Sequence, residues 1–176
     1  MRRFGCYHPG VIEPSIALYG EAFSKVNESL DGLLSRAHAR YAMMVDRKGF
    51  VLAHREALWA PKPPALDSIA TLIAGNAAAT GALAKLLGEQ NFNELVQQGD
   101  RIGLYIVEIN KEAFIGIVFD ETSQLGKVKL FAKKAIEEIR DLIENMEPME
   151  QPKMDFGNDF TSSANSLLDD LFGGGS

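Results

Sequence analysis

Few side chains in this chain are placed to do covalent or acid–base chemistry. The histidines His8, His38 and His54 fall in a loop, at a helix end and in a strand, with no spacing shared among them or with Cys6, the single cysteine. A metal needs three or four convergent ligands, so each reads as an ordinary histidine. No serine sits in a nucleophile elbow, there is no Walker-type phosphate loop, and the glycines near the middle of the chain do not follow a strand in dinucleotide-binding spacing. Asp46 and Asp120 stand at strand ends, where turn chemistry explains them better than an acid pair. Arg47 and Arg101 flank strands and raise the idea of an arginine finger, against the plainer reading of exposed arginines beside turns. The residues predict no active site, metal or cofactor.

What stands out instead is LDSIATLIAGNAAATGALAKLLG, from Leu66 to Gly88. Ile69, Leu72, Ile73, Asn76, Leu83 and Leu87 follow the spacing of a core-facing helical stripe, while Ala70, Ala74, Ala78 and Ala82 recur every fourth residue along another side. A side nearly bare of side chains lets another backbone approach closely, so this helix is expected to be covered by a partner as well as by its own sheet. The plain alternative is an alanine-rich surface helix, alanine being the best helix former.

The remaining elements are those that would hold this helix in place. Phe23, Val26, Leu30, Leu33 and Ala37 share one face of a first helix, and RYAMMVDRKGFVLAH reads as a hairpin turning at Gly49. A proline-stiffened loop, LWAPKPPAL, leads to the middle helix, for which Asp67 or Ser68 is the expected cap and Gly88 the stop. A weak strand around Glu94 to Gln98 precedes the strong hairpin IGLYIVEI and AFIGIVF; a last helix places Val128, Phe131, Ala135, Ile139 and Leu142 together, with Thr122 or Ser123 as cap. The order α-β-β-α-β-β-β-α, with strands joined by tight turns and one crossover helix, predicts an α+β fold: a five-stranded antiparallel sheet in an α/β/α sandwich.

At 176 residues the chain fits one domain with appendages. The boundaries expected are an irregular extension over 1–15, a domain over 16–144, a flexible acidic linker over 145–162 and a short amphipathic motif over 163–176. Seven acids against Lys153 from Glu144 onward give −6, the charge of the whole chain, so the body is neutral and offers no broad field for nucleic acid. No apolar run suggests a membrane span or a secretory signal, and with a single cysteine the expected compartment is the cytoplasm. In SANSLLDDLFGGGS, Leu167, Leu168, Leu171 and Phe172 surround an acidic pair; that is too short for a stable lone helix and suits docking in a partner's groove. A disordered tail end or a strap packed on its own body is the alternative. For Phe4, Cys6 and Tyr7 in the extension two readings stay open, cover for an apolar patch or a disordered segment.

With AGNAAATGALAKLLGE in the middle helix, QGDRIGLYIVEI after it, and RKGFVLAH and LWAPKPP before it, residues 16–144 resemble the Roadblock / dynein light chain family, nearest to its bacterial polarity-regulator branch. The terminal LLDDLF is similar to that branch's C-terminal motif. The resemblance implies a homodimer with two sheets joined edge to edge and two crossover helices side by side, on which one Ras-like small GTPase sits. It also implies a cytoplasmic, pole-associated regulator of cell polarity and gliding motility. Such a regulator speeds GTP hydrolysis by ordering the GTPase's own catalytic residues rather than supplying one. Ala74, Ala78, Ala82 and Lys85 would then form the central contact. Leu167, Leu168, Leu171 and Phe172 would form a tethered second contact, linked in relatives to nucleotide exchange. The rival from another class is a Roadblock adaptor that positions polarity or motor proteins without affecting hydrolysis. A small-molecule sensor using the sheet is disfavoured, because no polar cluster converges in the core pattern.

Overall fold

A computed structural model describes residues 14–146. The elements follow the expected order: α1 (Gly20–Ala37), β1 (Tyr41–Asp46), β2 (Val51–Glu56), α2 (Leu66–Leu86), β3 (Glu94–Gln98), β4 (Ile102–Asn110), β5 (Ala113–Asp120) and α3 (Leu125–Glu144). The strands form one antiparallel sheet in the order β2-β1-β5-β4-β3, which leaves β2 and β3 as its edges. The linker and the terminal motif expected beyond 144 lie, but for Asn145 and Met146, outside the described residues.

Alternation along the central strands sorts their side chains between two cores. Ala113, Ile115, Ile117 and Phe119 of β5, with Ala42 and Met44 of β1, pack against Val26, Leu30 and Leu33 of α1 and Val128, Ala132 and Ile139 of α3. Phe114 and Val118, with Tyr41, Met43 and Val45, face Ala70 and Ile73 of α2. Covered on both faces, β1 and β5 are buried at every residue, and their sequences accordingly read as apolar runs rather than polar–apolar alternations. Phe23 departs from the expected α1 stripe and is exposed.

Turn and cap chemistry fixes the frame. The Asp46 carboxylate is fully buried and accepts the backbone N–H groups of Lys48 and Phe50 within the β1–β2 turn, and that of Ser15 at 2.8 Å. Asp120 accepts the Thr122 N–H and, at 2.7 Å, Arg40 Nε. Burial alone would raise its pKa, but the Thr122 and Arg40 hydrogen bonds outweigh that and hold the carboxyl down at about 2. Both aspartates thus do turn work, as their positions predict.

The expected helix caps are not used. α2 begins after Ala65 and α3 after Gln124, neither with a side-chain cap. The Ser123 hydroxyl instead shares its one proton between the Ala37 and His38 carbonyls at the end of α1, two of the acceptors a helix C-terminus leaves open. His38 itself turns the chain out of α1 at φ 56. Gly88 does end α2 as expected, at φ 83, with the Glu89 N–H returning to the Ala84 carbonyl.

Candidate functional site

α2 is 21 residues of mostly Ala, Leu and Ile, and its apolar residues go nearly all the way round. One side is seated on the sheet. Ala70 and Ile73 are buried, and Leu66, Ile69 and Ala77 pack beside them. Ile73 reaches the sheet where β5 has no side chain: a Cβ on Gly116 would lie 2.5 Å from Ile73 Cδ1. At the other end of the sheet the β1–β2 turn abuts the helix. Gly49 adopts φ 90, and a Cβ there would stand 3.0 Å from Thr71 Cα, so both conformation and space demand glycine.

The sheet-facing stripe therefore differs from the predicted one. Leu72, Leu83 and Leu87, expected in the core, are 67%, 51% and 66% exposed, and Ala70, expected on the bare side, is fully buried. Where a helix is apolar around its whole circumference, residue type carries no phase, and Ile73 took the sheet side because Gly116 leaves room for it there. Of the candidate contact residues, Ala78, Ala82 and Lys85 lie exposed along α2 and Ala74 is half-buried beside them. Leu167, Leu168, Leu171 and Phe172 lie outside the described residues.

Sequence reasoning missed that the open side of α2 carries large apolar groups as well as small ones. Leu72, Ala79, Leu83 and Leu86 follow one another at intervals of seven, four and three, in one line along the solvent side. By length and composition this helix would even pass for a membrane span, contrary to the sequence reading, yet its Ala70–Ile73 side is packed on β1 and β5. A helix this apolar with most of its surface uncovered is the feature of the fold that most needs a partner.

The surroundings of α2 are fixed by ionic contacts. Arg47 lies over the Phe114 ring at 4.8 Å, its Nε donates to the Lys111 carbonyl, and its other end pairs with Glu108 at 3.1 Å. Asn91 of the α2–β3 loop donates to the same Glu108 carboxylate. With its guanidinium so committed, Arg47 is a strut between turns and not a free finger. Arg101 stands exposed in the β3–β4 turn. Edge strand β3 is tied to α3 through Glu94, which accepts hydrogen bonds from the Tyr105 hydroxyl at 2.7 Å and from Lys129. These bonds hold the Glu94 carboxyl below its ordinary range, while burial, then Glu94, pushes the Tyr105 hydroxyl up.

Among the described residues, no three His, Cys, Asp or Glu side chains come together as a metal site would require. His54 is exposed, and His38 stacks on Trp59 with ring centres 4.5 Å apart.

A five-stranded antiparallel sheet, two helices on one face and a crossover helix on the other define the Roadblock class of regulatory domains. The Roadblock/LC7 domain matches residues 25–119, and the chain belongs to that family. Within it, the chain is similar to the gliding protein MglB of Thermus thermophilus, at 57% identity and a TM-score of 0.75 over 77% of this chain and 100% of that one. An MglB with tetrameric arrangement matches at 57% identity and a TM-score of 0.74, over 76% of this chain and 98% of that one. Myxococcus xanthus MglB matches at 32% identity and a TM-score of 0.66, over 72% and 100%. No curated protein sequence matches the chain.

Proposed function

We propose that this protein is a homodimeric regulator of a Ras-like small GTPase of the MglA type, acting in cell polarity as a GTPase activator without an active site of its own. The observation that carries this reading is the uncovered side of α2. Its leucine line, Leu72, Leu83 and Leu86, suits the matching helix of a second copy, and the small residues Ala74, Ala78 and Ala82 with Lys85 suit a GTPase seated across the pair. The commitment of Arg47 to Glu108 and Phe114 supports activation by positioning rather than by an inserted arginine. Ordering the switch segments of a GTPase requires only a surface that binds the competent conformation better than the others. The similarity to two MglB structures at 57% identity favours this partner class.

Beyond the domain, the acidic residues 145–162 serve as linker, and the motif over 163–176 docks separately on the GTPase through Leu167, Leu168, Leu171 and Phe172, there promoting nucleotide exchange. The test is GTP turnover by a purified MglA-type GTPase with and without this protein. Acceleration that is lost in an Ala78→Arg, Ala82→Arg variant supports the assignment; a variant that accelerates as well as the parent defeats it. Tight binding with no change in turnover would mark the protein as an adaptor that positions its partner. Removing residues 163–176 should spare self-association and weaken GTPase binding in titration calorimetry.

A further inference from the structure

The leucine line along the open side of α2 has a gap between Leu72 and Ala79, and Asn76 stands in it. Extended by one residue toward the start of the helix, the line reads Ile69, Leu72, Asn76, Ala79, Leu83 and Leu86, at alternating intervals of three and four. That is the a and d spacing of a seam that meets another helix, here with a single polar residue, at an a position. Ile69 and Asn76 are half-buried and the other four are exposed. At 3.6 residues per turn the seam lies roughly a third of a turn from the Ala70, Ile73 and Ala77 side that rests on the sheet, so it runs along the flank of α2. Among the described residues the Asn76 side-chain amide has no hydrogen-bonding partner. Once the seam is covered, that amide needs one.

We propose, resting on the dimer inferred from the open side of α2, that Asn76 sets its register: the amide bonds to Asn76 of a second copy where the two α2 helices pass antiparallel. Direction follows from symmetry. A twofold axis that continues the sheet from β3 to the β3 of a second copy stands perpendicular to the sheet, and it runs two helices on the same face in opposite directions. In the register where Ile69 lies opposite Leu86 of the second copy, Leu72 meets Leu83 and Asn76 meets Ala79, so every seam position faces a seam position. Any other register leaves seam positions unmatched. Large groups then fill both ends of the seam, and the small Ala79 leaves room at its centre. The two Asn76 positions fall three residues apart along the seam, roughly 4.5 Å, with only the Ala79 methyl groups between them. An amide both donates and accepts, so it answers a copy of itself across a twofold axis, as a charged side chain does not. That self-matching pattern of sizes and of polarity is what commits the seam to a second copy rather than to a GTPase, whose surface has no such symmetry.

Charge exchange at position 76 tests this in the full-length protein. Asn76→Asp and Asn76→Lys should each raise the dissociation constant for self-association at least about tenfold in sedimentation, because like charges then face each other near the twofold axis. An equimolar mixture of the two should associate within about threefold of the parent, and that recovery also shows both variants to be folded. Register is read separately in a Cys6→Ser background. Leu72→Cys and Leu83→Cys chains oxidised together with diamide should cross-link, while each oxidised alone should give at most roughly a tenth of that yield. Single charge variants that associate like the parent, a mixture no tighter than its components, no cross-link in the mixed chains, or equal yields alone and together would each overturn the role of Asn76 and leave the dimer standing. A parent that sediments as a monomer at every concentration overturns the dimer, and this inference with it.

Discussion

If a second copy covers the leucine line of α2, replacing those leucines should separate the copies without harming the fold. Leu72, Leu83 and Leu86 are 67%, 51% and 85% exposed in the single chain, together about two whole leucine side chains. Suppose association buries half of that on each copy. The pair then gains the burial of about two leucines, some 4 kcal/mol, or roughly a thousandfold in dissociation constant. Glutamine is the informative replacement, because its helix propensity is close to that of leucine and its side chain stays solvated on this side of α2. The triple variant Leu72→Gln, Leu83→Gln, Leu86→Gln should sediment as a monomer across a concentration range in which the parent is dimeric. Its β1 and β5 amides should keep their protection, since no altered side chain reaches either core. Unchanged self-association would show that the leucines face nothing. Loss of protection in β1 and β5 would show that they serve the monomer. Either result refutes the reasoning.

Other perturbations probe the frame. The Asp120 carboxyl titrates near 2 when folded and near 3.8 when unfolded, so its stabilisation, about 2 kcal/mol, is complete above pH 4 and fades as pH falls toward 2. Asp120→Asn should accordingly lower stability at neutral pH and flatten its acid dependence in urea melts followed from pH 7 to 2. Ile73→Ala removes a fully buried side chain seated over Gly116 and should cost about 2–4 kcal/mol in the same assay. Gly49→Ala combines a left-handed φ with contact against Thr71 Cα and should cost more than about 1 kcal/mol. Arg47→Ala should weaken the fold by about 1 kcal/mol and leave the maximal rate of stimulated GTP hydrolysis unchanged, whereas a rate lowered a hundredfold or more would make Arg47 a finger after all.

The element order was legible because it rests on local signals. The apolar runs at Tyr41–Val45 and Ala113–Phe119 had the length of strands, and Gly49 and Gly88 marked the turn and the stop that they make. What failed depended on distant partners. Ser123 looked like a cap for α3 but closes α1, 85 and 86 residues away in sequence, while Thr122 turns back to its near neighbour Asp120. The face of α2 was misjudged because its phase is set by Gly116 on another element, and the strut from Arg47 to Glu108 spans 61 residues with no local trace. The candidate site was thus legible as a helix and not as a face.

The clamp of Lys129 and Tyr105 on Glu94 has a consequence for assembly. It fastens the first residue of the edge strand to a helix in the other layer, so the main-chain donors and acceptors of 94–98 are aligned before any neighbour arrives. An incoming strand meets a template whose ordering entropy was spent during folding, and more of each new hydrogen bond is retained as affinity. If two copies of the proposed dimer join through β3, loosening one lysine on the far layer should thus weaken the joining of the sheets without touching the seam itself.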